Sequence, residues 1–222
     1  MKKLLHNSKI YKFGFTLAEV LITLVIVGVV AAFTIPTLIN DTKQKQYISA
    51  WRKAYSAVSQ ALLLVKANGD TFDDVTTEQQ YAEKVAKYMV NIKLCTSNNF
   101  VSEGCGTSYP ILNLDGTSRN ANMGAMLGGS TCMILADGTY LCFDAYNLVF
   151  DVNGARGPNQ IGKDIFYALL DKNNFKLNPA VGYKNGWGPA DGVRQMPDYG
   201  NGTCQETDGG AGCSAWYLLH DK

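Results

Sequence analysis

Residues 15–39 read FTLAEVLITLVIVGVVAAFTIPTLI, 25 residues with almost no polarity. As one α-helix this run is about 37 Å long, enough to cross the roughly 30 Å hydrocarbon layer of a bilayer. Its polar members include Thr16, Thr23 and Thr34, whose hydroxyls are expected to bond back to the helix. Its one charge is Glu19. Residues 1–14 carry Lys2, Lys3, Lys9 and Lys12 and no acid. A secretory signal would have a shorter apolar stretch, about 7–15 residues, with a small-residue cleavage site after it. Here Asn40-Asp41-Thr42-Lys43 begins a polar helix instead. The run is therefore read as a retained single membrane span. The positive-inside rule places its Lys-rich end in the cytoplasm and the remainder outside.

Glu19 is the anomaly, because a carboxylate in an apolar segment costs about 2.5–3.5 kcal/mol on insertion scales. Either it lies at headgroup depth and reaches water, or it is kept because an assembly supplies a positive partner. The residues around it carry a resemblance. Lys12 to Leu21, KFGFTLAEVL, resembles the cleavage and methylation motif of type IV prepilins and type II secretion pseudopilins. The likeness lies in the basic leader, the Gly-Phe junction, the glutamate four residues on and the unbroken apolar run. It covers residues 12–39 closely and the rest only in general shape.

The resemblance implies that a prepilin peptidase cuts after Gly14, that Phe15 is then N-methylated, and that Glu19 pairs with the terminal amine of a neighbouring subunit during assembly. Pro36 falls where many pilins carry a helix-kinking proline. The implied location is the inner (cytoplasmic) membrane, then a periplasmic or cell-surface filament. The implied partners are the peptidase, other pilin or pseudopilin subunits, an inner-membrane assembly platform and membrane lipid. Physical chemistry fits this role. In a lipid-free helical bundle Glu19 must be neutralised, and an amine on the next subunit would also fix the axial register. Gly28, Ala31 and Ala32 allow close helix approach, although such residues are also common in any membrane helix.

Composition divides the 222-residue chain. All six cysteines lie between Cys95 and Cys213, and only Gly14, Gly28 and Gly69 of the 22 glycines precede residue 100. The first part reads as long helix and the second as loop-rich, disulfide-stapled structure. The expected organisation is a cleaved leader (1–14), a membrane or filament-core helix (15–39), a helical stalk (40–69) and an extracytoplasmic head (70–222). The fold class is α+β and pilin-like, a long amino-terminal helix packed on a small antiparallel sheet with a loop-rich carboxy-terminal region.

Beyond Pro36 the helix is expected to run to Ala67-Asn68-Gly69, with Gly69 as its stop. Ile48, Trp51, Tyr55, Val58, Leu62 and Val65 form one apolar stripe at helical spacing, read as core. Lys43, Lys45, Arg52 and Lys53 line the polar side, read as a solvated face. A second helix is expected from Thr77 to Leu94, with Thr76 and Gln79 as a capping box and Tyr81, Val85, Tyr88 and Ile92 on its apolar side. In Thr131–Asp144, TCMILADGTYLCFD, apolar residues flank Asp137-Gly138, a hairpin signal. A three-residue loop would set Cys132 opposite Cys142, and a two-residue loop would set it against Phe143. Ile165–Leu170 and Phe175–Leu177 read as strands about a turn, residues 178–212 as loop, and Ser214–Leu219 as a final short element.

Six cysteines outside the membrane suggest disulfides. Local pairing gives Cys95–Cys105, Cys132–Cys142 and Cys204–Cys213, one of 15 connectivities; free buried thiols are the alternative. The segment from Asp151 to Asp164, DVNGARGPNQIGKD, is the most distinctive of the head. Asp151, Asn153, Asn159 and Asp164 offer hard oxygen ligands, and its glycines and proline let carbonyls join them, which suits calcium. It is not an EF-hand, because Ala155 stands at the third ligand position and no Glu stands at the twelfth. Major pseudopilins bind calcium in a carboxy-terminal loop, but the likeness there is loose. The competing reading is a structural turn with Asx hydrogen bonds and Arg156 paired to an acid. No cofactor is required by either.

Catalysis has little support. The two histidines are His6, in the leader, and His220, and no H-E-x-x-H, P-loop or dinucleotide fingerprint occurs. Twenty basic and 19 acidic side chains nearly balance, and losing the leader lysines leaves an acidic remainder. Counterion release from nucleic acid needs clustered Lys and Arg, which the head lacks. The sequence reading is a structural filament subunit, of pilus or pseudopilus. The alternatives are a minor pilin of a DNA-uptake or adhesion pilus, and a lone membrane-anchored binding domain.

Overall fold

The structure, a computed structural model, describes residues 14–95, 100–122, 130–144, 147–180, 204 and 209–220. It divides into two compact units, and the boundary between Lys43 and Gln44 falls inside the first helix.

Helix α1 spans Leu17–Ala67 and contains Pro36. Pro36 has no N–H to donate, so one intrahelical bond is missing, but the helix continues through it. It ends where the sequence places its stop. Asp70 N–H reaches Val65 O (3.1 Å) and Gly69 N–H reaches Lys66 O (3.1 Å), the paired bonds of a Schellman end. That end needs a left-handed residue, and Gly69 supplies φ 76° without a Cβ penalty.

In the second unit α1 buries Trp51, Ala54, Val58, Ala61, Leu62 and Val65, while Tyr55 and Ile48 are half-buried. The stripe is core, as the periodicity predicts. The second helix, α2, is Glu78–Ala86, shorter than the expected Thr77–Leu94. Its capping box joins Thr77 to Gln80, one position later than the expected Thr76 and Gln79. Both pairs satisfy the same spacing rule, so the pattern alone does not choose between them. The chain then leaves the helix for strand β1, Asn91–Cys95. Pairing with a neighbouring strand outweighs the helical spacing that includes Ile92, whose side chain is exposed.

The remaining strands are β2 (Pro110–Leu112), β3 (Ser118–Asn122), β4 (Thr131–Leu135), β5 (Tyr140–Asp144), β6 (Asn147–Asp151), β7 (Ile165–Asp171) and β8 (Lys176–Pro179), before helix α3 (Cys213–Leu219). Six strands form one sheet in the order β1-β4-β5-β6-β7-β8, and β2 and β3 form a separate pair. All adjacent pairs in the large sheet are antiparallel. The class is therefore α+β.

Both faces of this sheet are covered, and side chains alternate strictly between them. Met133, Leu141, Phe143, Leu148, Phe150, Phe166, Ala168 and Leu170 join the core that contains the α1 stripe. Cys132, Tyr140, Cys142, Val149, Ile165 and Tyr167 belong to a second core with Phe100, Ile111 and Ile161. Double-sided burial explains why these strands read as continuous apolar runs rather than as alternating polarity.

Candidate functional site

The amino-terminal motif is ordered by a local rule. Gly14 and Phe15 precede α1 and are exposed, Phe15 at 88%. Thr16 Oγ1 accepts from Glu19 N–H (3.2 Å), while Thr16 N–H and Oγ1 both donate to Glu19 Oε2 (2.8 Å each). This reciprocal pair is a capping box, with Thr16 as the cap and Glu19 three residues on. Of the three threonines expected to back-bond, Thr23 and Thr34 do so, to Val20 O (2.9 Å) and Val30 O (3.0 Å); Thr16 starts the helix instead. The T-x-x-E spacing of Thr16 and Glu19 is the sequence signal of this cap. Beyond Glu19 the apolar side chains from Val20 to Ile39 that are large enough to matter stand open, among them Leu24, Val25, Val27, Phe33 and Leu38, each more than 60% exposed. A surface of this kind is covered by lipid or by protein. Among the described residues α1 is the one helix long and apolar enough to cross a membrane. Together with the motif this marks a membrane-anchored chain.

The acidic glycine loop joins β6 to β7, and strand register brings its two ends together. Asp151 pairs with Ile165, and Val152 N–H donates to Asp164 O at 2.9 Å, so the Asp151 and Asp164 side chains enter one neighbourhood. Both residues are fully buried. Asp151 Oδ1 accepts from the N–H groups of Asn153 (3.3 Å) and Gly154 (3.0 Å), the Asx turn expected from the sequence. Asp164 Oδ2 and Oδ1 accept from the N–H groups of Asn159 (2.8 Å) and Gln160 (2.6 Å). Burial, and then the charge of Asp164, push the Asp151 carboxyl well above the usual carboxylate range. Burial also raises the Asp164 carboxyl. Arg156 is exposed. Asn153 donates from Nδ2 to Gly157 O (3.0 Å) and to the Tyr47 hydroxyl (3.3 Å). Three acceptor atoms of the loop, Asp151 Oδ2, Asn153 Oδ1 and Asn159 Oδ1, are buried and have no hydrogen-bond partner.

Disulfides join Cys95 to Cys105, Cys132 to Cys142 and Cys204 to Cys213. The hairpin closes on the three-residue loop Ala136-Asp137-Gly138, with Leu135 N–H donating to Thr139 O (2.9 Å), and so Cys132 stands opposite Cys142. Cys95 stands opposite Cys132 on its other side.

Several residues take architectural roles that the sequence does not show. Arg52, read as part of a solvated face, donates from Nε to Tyr217 O (2.8 Å) and from Nη2 to His220 O (2.9 Å). It thus satisfies carbonyls at the end of α3, where a cation is also favoured by the helix dipole. Lys53 pairs with Asp137 at 2.8 Å. Gln160 donates from Nε2 to Asn113 O (3.0 Å) and Leu114 O (2.7 Å), tying the loop to the turn between β2 and β3. These contacts span between 46 and 168 residues of sequence, and no local pattern announces them. The expected loop over 178–212, with Trp187, lies largely outside the described residues.

Compared with known proteins, the chain matches the family model for the prokaryotic N-terminal methylation motif over residues 11–35. Neither the curated proteins nor the solved structures gave a match.

Proposed function

We propose that this chain is a structural subunit of an extracytoplasmic filament, of the type IV pilus or type II secretion pseudopilus kind. It carries the prokaryotic N-terminal methylation motif of type IV pilins and pseudopilins at residues 11–35, a motif that goes with prepilin peptidase processing and assembly with other pilin subunits. The observation that carries the proposal is the coincidence of that motif with an apolar helix whose side chains are exposed among the described residues. The chain inserts with its basic end in the cytoplasm, is cleaved after Gly14 and is N-methylated on Phe15. In the filament the apolar surface leaves lipid for neighbouring helices, and Gly28, with nothing within 4 Å of where a Cβ would stand, leaves room for one. The membrane-facing work is structural, and no catalytic step is assigned to the head. Its one described histidine, His220, stacks on Trp216 with ring centroids 3.9 Å apart.

Glu19 has two tasks in this reading. It closes the capping box with Thr16, and its charge receives the terminal amine of the neighbouring subunit. Glu19→Gln separates them, because glutamine serves in a capping box as glutamate does but carries no charge. E19Q should insert and be processed normally, yet yield at least about tenfold less filament. That factor corresponds to losing roughly 1.4 kcal/mol per subunit contact. Filament yield by shearing and quantitative immunoblot is the readout. Wild-type yield from E19Q would leave capping as the whole role of Glu19.

A further inference from the structure

We propose that Cys95 is an internal nucleophile, placed to draw the Cys132–Cys142 disulfide onto the edge strand of the large sheet once its own bond to Cys105 is opened. Four of the six cysteines lie together in the second core, and each is fully buried. Strand register sets three of them in one row. Cys95 of β1 stands opposite Cys132 of β4, and Cys132 stands opposite Cys142 of β5. Their side chains share one face of the sheet, as those of directly opposed residues do. Backbone hydrogen bonds fix the spacing along the row. Leu135 N–H donates to Thr139 O, which makes that pair a hydrogen-bonded one. The two kinds of pair alternate along an antiparallel ladder, so Cys132–Cys142 is a non-hydrogen-bonded pair, and its Cα atoms are 4.0 Å apart. The peptide groups of Cys132 therefore point to β1. Cys95–Cys132 is the hydrogen-bonded pair, with Cα atoms about 5.5 Å apart. That separation falls within the range that a disulfide spans, roughly 4.4–6.8 Å.

The row also suits the chemistry of exchange. A thiolate attacks one sulfur of a disulfide and displaces the other, and the displacement is in line. Cys95 and Cys142 flank Cys132 on opposite sides, so attack by Cys95 on Cys132 Sγ expels Cys142 along the row. A cation stands beside the attacking group. Lys93 Nζ donates to Glu103 O, and Cys95 Sγ lies 3.9 Å from the same oxygen. An ammonium next to a cysteine favours the thiolate, the form that attacks. Of the two bonds, Cys95–Cys105 is the outer one. β1 is an edge strand, and Ser102 and Gly104, just before Cys105, are exposed. Cys132 and Cys142 lie on inner strands. A dithiol reductant opens the outer bond, leaves thiols on Cys95 and Cys105, and is itself oxidised to a disulfide. Cys95 then gives up its proton and its sulfur bonds to Cys132 Sγ. The Cys132–Cys142 bond breaks, and Cys142 leaves as a thiolate that takes up a proton. Exchange conserves the number of disulfides, so this second step needs no oxidant. Its product staples β1 directly to β4, and the edge strand stays fastened after Cys105 is released.

The test uses the full oxidised chain in detergent, treated with limiting dithiothreitol at mildly alkaline pH. Samples are quenched in acid, unfolded and labelled with N-ethylmaleimide, and their disulfides are mapped on peptides by mass spectrometry. Among molecules that have lost one bond of the cluster, at least about a tenth should carry label on Cys105 and Cys142 and retain a Cys95–Cys132 bond. That fraction corresponds to an exchange within roughly 1.4 kcal/mol of balance. Cys105→Ser reaches the same state without reductant, and C105S should likewise carry the Cys95–Cys132 bond and a labelled Cys142. Label on Cys95 and Cys105 alone in the wild type, with Cys132–Cys142 intact, overturns the proposal. So does a folded C105S in which Cys95 stays a thiol. The wild-type map decides the matter if C105S does not fold. Neither readout depends on processing or filament assembly, so the exchange stands or falls apart from the proposed function.

Discussion

Trp51→Ala should lower the stability of the second unit by about 3–5 kcal/mol, the range for deleting a large buried aromatic. Trp51 is fully buried. Its ring stacks on Phe166 at 5.1 Å and meets Phe150 edge-on at 4.9 Å, so it is the contact between α1 and two central strands. Its Nε1 donates to Ser214 O at 2.9 Å, and Ser214 Oγ in turn accepts from Tyr167 N–H of β7 at 2.9 Å. One side chain therefore joins the helix, the sheet and α3. For a chain of this size the loss should move the thermal midpoint down by about 6–20 °C. Trp51→Phe keeps most of the ring contact but removes the donor to the Ser214 carbonyl, and should lose less, about 1–3 kcal/mol. Near-ultraviolet circular dichroism of the full chain in detergent, followed against temperature, measures both. A W51A midpoint within a degree or two of wild type would mean that the stripe on α1 is not the core.

Gly14→Leu is expected to abolish maturation. Gly14 precedes the first helical turn, and a Cβ at that position would meet nothing within 4 Å. The fold itself thus tolerates any residue there. The demand for glycine comes from the peptidase, which on the proposed reading must accept the Gly14–Phe15 peptide bond in its site. G14L should accumulate in the membrane at wild-type level, migrate as the uncleaved form and enter no filament. Immunoblots of membranes from a host with a working prepilin peptidase read this directly. Normal processing of G14L would remove the junction from Gly14. Because the head is untouched, its thermal midpoint should match wild type, which separates a processing defect from a folding one.

Much of the architecture is legible in the sequence because its causes are local. The α1 stripe follows from spacing, the helix stop from Gly69, and the three-residue hairpin loop from Asp137-Gly138 between apolar runs. Gly138, at φ 88°, supplies the left-handed residue that such a loop requires. The misreadings share another cause. The end of α2 is decided by β1 pairing with β4 across some 40 residues of sequence, and Ile92 obeys the sheet although its spacing obeys the helix. Arg52 reads as a surface cation because the carbonyls it serves come from α3, far along the chain. The oxygen-rich loop was visible as composition, but the burial of Asp151 and Asp164 arises only when β6 and β7 pair. Glu19 shows the reverse: its capping role is local and follows from its spacing to Thr16, while its charge stands out as an anomaly in an apolar run.

Whether this chain is processed as a pilin-like subunit can be read from the intact mass of the protein extracted from its own membrane. The expected species is a chain beginning at Phe15 with one added methyl group, whose mass rises on reduction by two hydrogens for each of the three disulfides. A chain still beginning at Met1 and unmethylated, in cells with an active prepilin peptidase, would contradict it and leave a plain membrane-anchored domain in its place.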